Sequence, residues 1–293
     1  MSSLFRLLLL CFLTLCGQVL AAGALQPVSI VYDEGNVAWE HANILGKELE
    51  ARGVPAGEIE LVRTSEPLQK RSIVVAVGLG AMKKVPAGGS PGWVGLMVPR
   101  ASVEAMSELP ENGAVLVMDQ PLRRILDLVK IGLPGRSRVG ALASSSSIPW
   151  LRQQKRLAAE RGLEFSVEAA TAETMPKVLD GLLPYSDILL ALPDSAIHNR
   201  NTVPLILLAS YRLGIPVVAY SESYLNAGAI LALYSTPAQT SRQAATMVMD
   251  ILRGKPTLGI VEPVEFKVGV NDRVARSLGI SLPSAAELEA KLR

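Results

Sequence analysis

The chain has 293 residues, enough apolar sequence for either one large domain or two lobes of ordinary size, each with its own core. Its formal net charge of +2 reflects nearly balanced acidic and basic residues, which excludes the broad basic field expected of a nucleic-acid-binding protein. Aromatic residues make up only 4% of the chain, and Ala, Leu, Val and Gly are abundant. This composition is typical of helices packed on buried parallel strands.

The N-terminus has the layout of a secretory signal peptide. A short start with one positive charge at Arg6 precedes an apolar run over residues 7–15, and small residues follow at 21–24. The apolar run is shorter than the ~20 residues that a membrane-spanning helix needs. We therefore expect residues 1–22 to be a signal peptide cleaved near Ala22, and the mature protein to be periplasmic. A retained membrane anchor is the alternative.

Both cysteines, Cys11 and Cys16, lie inside this segment. Cleavage near Ala22 would leave a chain without thiols, and therefore without disulfides or cysteine-based metal sites. Residues 13–16 weakly match the cleavage box of bacterial lipoproteins, in which the cysteine carries the lipid. That pattern has a small residue before the cysteine, whereas Leu15 is large. Lipid anchoring at Cys16 is thus an alternative to a free periplasmic protein.

After the signal segment, short β-branched apolar runs alternate with longer amphipathic stretches. Trp39, Ala42, Leu45 and Leu49 recur at helical spacing, and Gly53 ends that helix as a C-cap glycine would. The pattern predicts five strands, over residues 28–32, 60–63, 72–77, 93–98 and 114–118. Five strands with intervening helices predict one complete doubly wound sheet.

A second series of the same kind follows. Helices are predicted over residues 149–162 and 202–213, the second with Asn201 as its N-cap and Gly214 after its end. A strong helix over 241–253 comes later, and two helical segments begin near Asp272 and Pro283. The predicted strands of this series lie over residues 138–142, 165–168, 188–192, 216–220, 229–233 and 266–270.

Several short motifs in the C-terminal half occur in a recognisable order. They are a strand ending at Asp194, Asn201-Thr202-Val203, the strand entry Gly214-Ile215-Pro216, the turn Ala227-Gly228-Ala229, the helix from Gln243-Ala244-Ala245 to Gly254, and Asn271 before Leu278-Gly279-Ile280. Together these motifs, within residues 122–283, resemble the substrate-binding proteins of ABC importers, in particular the group that includes tryptophan- and tyrosine-binding members. Residues 26–118 match that family only in strand order and are short for it.

The resemblance implies an α/β fold of the periplasmic binding protein type I, with two Rossmann-like lobes, parallel sheets and a hinge of three crossing strands. We expect lobe 1 over residues 26–118 with a returning helix at about 238–254. Lobe 2 would span 119–236 with a C-terminal strand and helices at about 262–293. The hinge would lie near residues 119–121 and 235–237, and a ligand would be held between the lobes.

In the first lobe, candidate ligand contacts follow the first and third strands. Tyr32 could stack on a planar ligand and Asp33 follows it, while Gly78 and Gly80 could let a ligand carboxylate approach backbone N–H groups. Ordinary turn and capping chemistry is the alternative for both loops. Gly78-Leu79-Gly80 also matches part of a dinucleotide fingerprint, but the third glycine is absent.

In the second lobe, candidate contacts follow three strands. Asp194 would suit an amino group, because the resembled family contacts the polar end of its ligand at this edge. Helix capping and exposed turns are the alternative. The full set of candidates in this lobe is Ser144, Ser145 and Ser146 after one strand, Asp194 and Ser195 after the next, and Tyr220, Ser221 and Tyr224 after the third.

The sequence predicts a binding protein rather than an enzyme. Only His41 and His198 are present, no Gly-x-Ser-x-Gly elbow surrounds any serine, and one histidine near a cleft makes neither a triad nor a metal site. We expect no cofactor and no metal.

The predicted function is capture of a small molecule, such as an amino acid or another aromatic or carboxylated compound, for an inner-membrane ABC permease. Because a short first lobe encloses less ligand, the alternative is an exported sensor or an assembly partner of a membrane protein with the same fold.

Overall fold

The computed structural model describes residues 26–68, 71–86, 91–106 and 108–293. The predicted signal peptide, with Cys11, Cys16 and the cleavage site near Ala22, lies outside the described residues. Within the described ranges, no helix combines the length and the apolar character needed to cross a membrane.

The strands are short and mostly buried, as the β-branched runs predict. For example, every residue of the strand Ile73–Val77 is buried. The described residues form twelve strands: β1 (Val28–Tyr32), β2 (Ile59–Arg63), β3 (Ile73–Val77), β4 (Trp93–Val98), β5 (Gly113–Val117), β6 (Arg138–Ala143), β7 (Glu164–Ala169), β8 (Ile188–Leu190), β9 (Val217–Ala219), β10 (Leu231–Tyr234), β11 (Gly259–Val261) and β12 (Lys267–Val270).

The strands form two sheets of six. The first has the order β11-β5-β4-β3-β1-β2 and is entirely parallel. The second has the order β12-β10-β9-β8-β6-β7, and only its edge strand β12 runs antiparallel to its neighbour. The expected α/β fold with two mostly parallel sheets is therefore confirmed.

Helices cover both faces of each sheet, as parallel strands require. The described α-helices are α1 (Asn36–Ala51), α2 (Leu79–Met82), α3 (Arg100–Glu104), α4 (Leu122–Gly132), α5 (Ile148–Gln153), α6 (Lys155–Ala159), α7 (Met175–Leu182), α8 (Val203–Arg212), α9 (Glu222–Ala227), α10 (Pro237–Leu252), α11 (Asp272–Ser277) and α12 (Ala285–Leu292). In the first sheet, α1 and α10 share one core layer, and α2 and α3 contribute to the other. In the second sheet, α4, α5, α6, α11 and α12 cover one face, and α7, α8 and α9 cover the other.

Three segments connect the sheets. They comprise residues 118–121, 235–236 and 262–266, and each joins an element packed in one sheet to an element packed in the other. The amide of Gln120 donates to the hydroxyl of Ser235 at 2.6 Å, and that hydroxyl donates to the carbonyl oxygen of Glu265 at 2.7 Å. One hydrogen-bonded chain thus ties all three segments together.

The structure differs from the sequence-based prediction at three places. The first sheet is completed by β11, whose three residues are too few to give an alternating pattern. Residues 149–162 form two short helices, because the N–H of Gln154 bonds to Leu151 with the tighter i−3 spacing. Asn201 does not cap α8; Thr202 precedes that helix, and its hydroxyl instead donates to the carbonyl of Ile197 at 2.6 Å.

Candidate functional site

Loops from both sheets meet at the carboxyl ends of their strands, where parallel α/β sheets bind ligands. A small pocket lies there, lined on one side by residues that follow β4 and β5 and on the other by residues that follow β6 and β8. Its polar and aromatic lining includes Arg100, Asp119, Ser147, Trp150 and Asp194. The pocket holds about 10 Å³, roughly the space of one water molecule.

Asp194 organises the second-sheet side of the pocket. Its Oδ2 accepts hydrogen bonds from the N–H of Ser144 at 2.8 Å, the hydroxyl of Ser144 at 2.7 Å and the hydroxyl of Ser147 at 2.9 Å. Its Oδ1 accepts the N–H of Ala196 at 3.2 Å. The side chain is 6% exposed, so these donors replace the water that a carboxylate loses on burial. Asp194 therefore joins the loops that follow β6 and β8.

Asp119 approaches the same pocket from the first crossing segment. It is 6% exposed, and its Oδ2 accepts the backbone N–H of Arg100 at 2.7 Å. Burial, with a smaller contribution from the Asp194 charge, raises the pKa of the Asp119 carboxyl to about 7 against the lowering effect of Arg100. The backbone N–H of Asp119 itself also acts on this carboxyl, and the residue lines the pocket.

Arg100 links the two sheets and pairs with two carboxylates, while its Nε is buried without a hydrogen-bond partner among the described residues. Its guanidinium pairs with Glu262 at 2.8 Å, on the third crossing segment, and lies 3.7 Å from Glu104. It also lies over the ring of Trp150 on α5, 5.0 Å from the centroid, a cation–π contact. Arg100 thus contacts the first sheet, a crossing segment and the second sheet at once.

Three aromatic rings pack together on the second-sheet side, where the backbone N–H of His198 donates to the carbonyl of Asp194 at 2.7 Å. His198, Tyr220 and Tyr224 pack edge to face, with centroids 5.7 to 6.1 Å apart. The Tyr224 hydroxyl and His198 Nδ1 lie 3.3 Å apart, while His198 Nε2 is buried without a partner among the described residues. Burial lowers the pKa of His198 to about 4, so its ring is neutral at pH 7.

Tyr220 interacts electrostatically with both acidic groups. Burial raises its pKa to about 12, and the charges of Asp119 and Asp194 contribute in the same direction. The side chain is half-buried, and its hydroxyl has no hydrogen-bond partner in the described part of the chain. Tyr220 therefore keeps its proton and can donate it to a ligand.

The expected carboxylate site at Gly78 and Gly80 is occupied by the protein itself. The N–H of Gly80 donates to Oδ2 of Asp33 at 3.0 Å, and the N–H of Gly78 donates to Leu96 at 2.9 Å. A Cβ at either glycine would collide with the Asp33 carboxylate, so the glycines make room for this side chain. The prediction that these N–H groups receive a ligand carboxylate does not fit this arrangement.

The remaining predicted contacts have mixed surroundings. Tyr32 is 8% exposed and packs mainly in the core, although it borders an open pocket with Trp39. Ser221 accepts the N–H of Tyr224 at 3.1 Å and so caps α9, the structural alternative named for it above. Ser145 and Ser195 are exposed, and the hydroxyl of Ser146 lies 2.9 Å from that of Ser144.

Sequence reasoning missed three residues of the pocket as ligand contacts: Arg100, Asp119 and Trp150. The first two lie two residues after the ends of strands β4 and β5, so the rule that selected Asp194 would also have selected them. Asp119 was assigned only to the hinge. Trp150 lies inside α5, and no local signal indicates that this face of the helix meets the other sheet.

Comparison with known proteins identifies the family. The sequence profile of the family described as "ABC transporter substrate binding protein" matches residues 114–291, more than half of the chain. The chain belongs to this family. No curated protein matches this substrate-binding protein.

Solved structures share the fold of this substrate-binding protein at low sequence identity. An ABC domain in complex with L-Trp from Streptococcus pneumonia has a TM-score of 0.65 at 13% identity, covering 92% of this chain and 98% of that one. A conserved domain protein from Vibrio cholerae has a TM-score of 0.65 at 19% identity, with 91% and 98% covered. A substrate-binding protein with adhesive properties from Clostridium difficile, in its ligand-free open form, has a TM-score of 0.64 at 16% identity. The match covers 88% of this chain and 96% of that one. These similarities confirm the two-lobed periplasmic binding protein type I fold.

Proposed function

We propose that this protein is the periplasmic binding component of an ABC-type importer and captures a small molecule between its two lobes. The observation that carries the proposal is the pocket to which both sheets contribute, with Arg100 and Asp119 on one side and Ser147, Trp150 and Asp194 on the other. Membership of the substrate-binding family supports the same role. A binding role without catalysis is part of the proposal.

The three crossing segments supply the proposed hinge. Because Gln120, Ser235 and Glu265 are hydrogen-bonded in series, the segments would bend together and not separately. A ligand that contacts Asp119 on one side and Tyr220 and Asp194 on the other would favour the conformation in which the lobes approach. Because the ligand would bind that conformation more tightly, its binding would shift the protein from the open to the closed form.

The proposed location follows from the N-terminal signal pattern, with export and cleavage near Ala22 delivering the protein to the periplasm. There the ligand-loaded form would dock on an inner-membrane permease. The resemblance suggests an amino acid or another aromatic or carboxylated ligand. The Asp119 carboxyl in the pocket lining supports recognition of an amino end.

A thermal-shift screen of the mature protein with a metabolite extract tests the proposal, because a ligand that binds only the native state raises the melting temperature. Tyr220→Phe removes a hydroxyl that no described residue binds, so it should reduce the ligand-induced shift without unfolding the protein. Tyr211→Phe is the matched control, since Tyr211 is exposed on α8. Solution scattering should show a smaller radius of gyration with ligand than without. An extract that shifts nothing would contradict ligand capture.

A second candidate function uses contact with a membrane protein as the output. On and just after α8, the side chains of Leu205, Leu208, Tyr211 and Leu213 are 48 to 55% exposed, an apolar surface on the outer face of the second sheet. Such surfaces mark interaction sites. If a detergent-solubilised membrane partner is retained by the wild type and lost with Leu208→Ser, while no metabolite shifts the melting temperature, this function replaces ligand capture.

A further inference from the structure

The two lobes share no hydrophobic core in the part of the chain that the structure describes. Each cluster of buried apolar side chains there belongs to one sheet and the helices that cover it. Polar contacts between the two sides run mostly through the crossing segments. Examples are the ion pair of Arg242 with Glu265 and the hydrogen bond from the Gln239 amide to the Phe266 carbonyl. Few contacts therefore set the distance between the lobes.

One contact joins the lobes directly, without a residue of a crossing segment. The guanidinium of Arg100, on α3 in lobe 1, lies over the ring of Trp150, on α5 in lobe 2, at 5.0 Å from the ring centroid. Both side chains line the pocket of about 10 Å³, so the lobes lie close together at this point. Because a cation–π attraction acts only within about 6 Å, this interlobe contact exists only while the lobes are this close.

Each partner of the interlobe contact is held in place by its own surroundings. The backbone N–H of Arg100 donates to Asp119 at 2.7 Å, and its guanidinium pairs with Glu262 at 2.8 Å. Trp150 is partly buried and packs against the core of the second sheet. Because both side chains are already positioned, they lose little conformational entropy when they meet.

We infer that Arg100 and Trp150 are positioning residues whose contact favours the closed conformation of the ligand-free protein. When the crossing segments bend and the lobes separate, Trp150 leaves Arg100 and the cation–π attraction is lost. The contact thus adds to the population of closed molecules before any ligand binds. This inference goes beyond the proposed function, because it concerns the resting balance between open and closed forms and does not depend on which ligand is captured.

Trp150→Leu tests the inference in the ligand-free mature protein. It removes the ring but keeps both ion pairs of Arg100, and the ratio of open to closed molecules should rise about fivefold. Residues 23–293 contain no cysteine, so Lys47→Cys on α1 and Lys177→Cys on α7, both at exposed positions, can carry a fluorophore pair. Single-molecule energy transfer between the fluorophores then measures the two populations.

Three further variants assign the effect to the contact. Trp150→Phe keeps a ring for the guanidinium and should restore the wild-type ratio to within about twofold. Tyr185→Leu removes a ring of lobe 2 that is 74% exposed, so this matched control should leave the ratio unchanged. Arg100→Gln removes the cation, and in that background Trp150→Leu should change the ratio by less than about twofold, because the contact is already lost.

Two results would overturn the inference. The first is an unchanged ratio of open to closed molecules in Trp150→Leu. The second is an equal effect of Trp150→Leu with and without Arg100→Gln, which would mean that Trp150 acts through the packing of its own lobe. Urea unfolding of each variant distinguishes a loss of stability from a change in lobe distance. Because none of these measurements uses a ligand, ligand capture stands or fails separately, with the metabolite extract.

Discussion

Replacing Asp119 by Asn should make the ligand-free protein more stable at pH 8. The carboxyl is 6% exposed beside Asp194, and its pKa is raised to about 7 in the folded protein, against 3.8 for the free side chain. The folded state therefore holds the proton more tightly than the unfolded state. Ionised Asp119 therefore lowers the free energy of unfolding. This loss grows as the pH rises from 3.8, the pKa of the free side chain, to about 7, the pKa in the fold, and it is constant above that pH.

A shift of about three pKa units corresponds to about 4 kcal/mol of unfolding free energy at pH 8. The same calculation leaves roughly 0.5 kcal/mol at pH 4, where Asp119 is protonated in the fold and partly protonated in the unfolded chain. Urea unfolding followed by tryptophan fluorescence at both pH values measures the difference between the variant and the wild type. Asn at this position keeps its acceptor for the N–H of Arg100, so no hydrogen bond is lost.

Asp187→Asn is the control of opposite sign. Asp187 pairs with Arg138 at 2.6 Å, which lowers the pKa of its carboxyl, so its stabilisation is present at neutral pH and is lost as the pH falls. This variant should be less stable than the wild type at pH 8, with a loss that shrinks towards acid pH. An Asp119→Asn gain that is absent at pH 8, or equal at pH 4 and pH 8, would refute the argument. A gain in stability together with a loss of binding would mean that Asp119 is retained for function.

Three further results are expected. Gly78→Ala should cost about 1–3 kcal/mol in urea unfolding, because a Cβ there meets the Asp33 carboxylate and the backbone has φ +105°, whereas Gly57→Ala, with open space, should stay within about 0.5 kcal/mol of the wild type. Asp194→Ala should cost about 2–4 kcal/mol by leaving its buried donors unpaired, and a cost below about 1 kcal/mol would contradict its role as a link between loops. The imidazole proton shifts of His198 in NMR should stay constant from pH 7.5 to about 5.5, since its pKa is lowered to about 4; a midpoint near 6.5 would mean that the ring is solvated.

The fold was predictable because its strands carry strong local patterns. A continuous β-branched apolar run such as Ile73–Val77 predicts a buried central strand, and the alternation of such runs with amphipathic stretches indicates a parallel sheet. Elements without a strong local pattern are not predictable in this way. The strand Gly259–Val261 has three partly buried residues, and only its pairing with Gly113–Val117 makes it a strand.

The site was less predictable because strand ends alone do not reveal partners. Asp33 and Asp119 both lie within two residues of the end of a parallel strand, yet the first turns onto the N–H of Gly80 and the second accepts the N–H of Arg100 in the pocket lining. Ser144 was expected to face a ligand and instead donates to Asp194, 50 positions away. Such contacts depend on tertiary packing, which periodicity and turn signals do not encode.

The two sheets are interleaved along the chain. The first one needs α10 and β11 from the last quarter of the sequence, since β11 pairs with β5 and α10 packs on α1. The second is not closed until β12 pairs with β10. Severing the chain once, at any crossing segment, therefore cannot release a complete lobe. A protease that cuts between residues 118 and 121 would leave two fragments held together by a shared sheet, and they would separate only on denaturation.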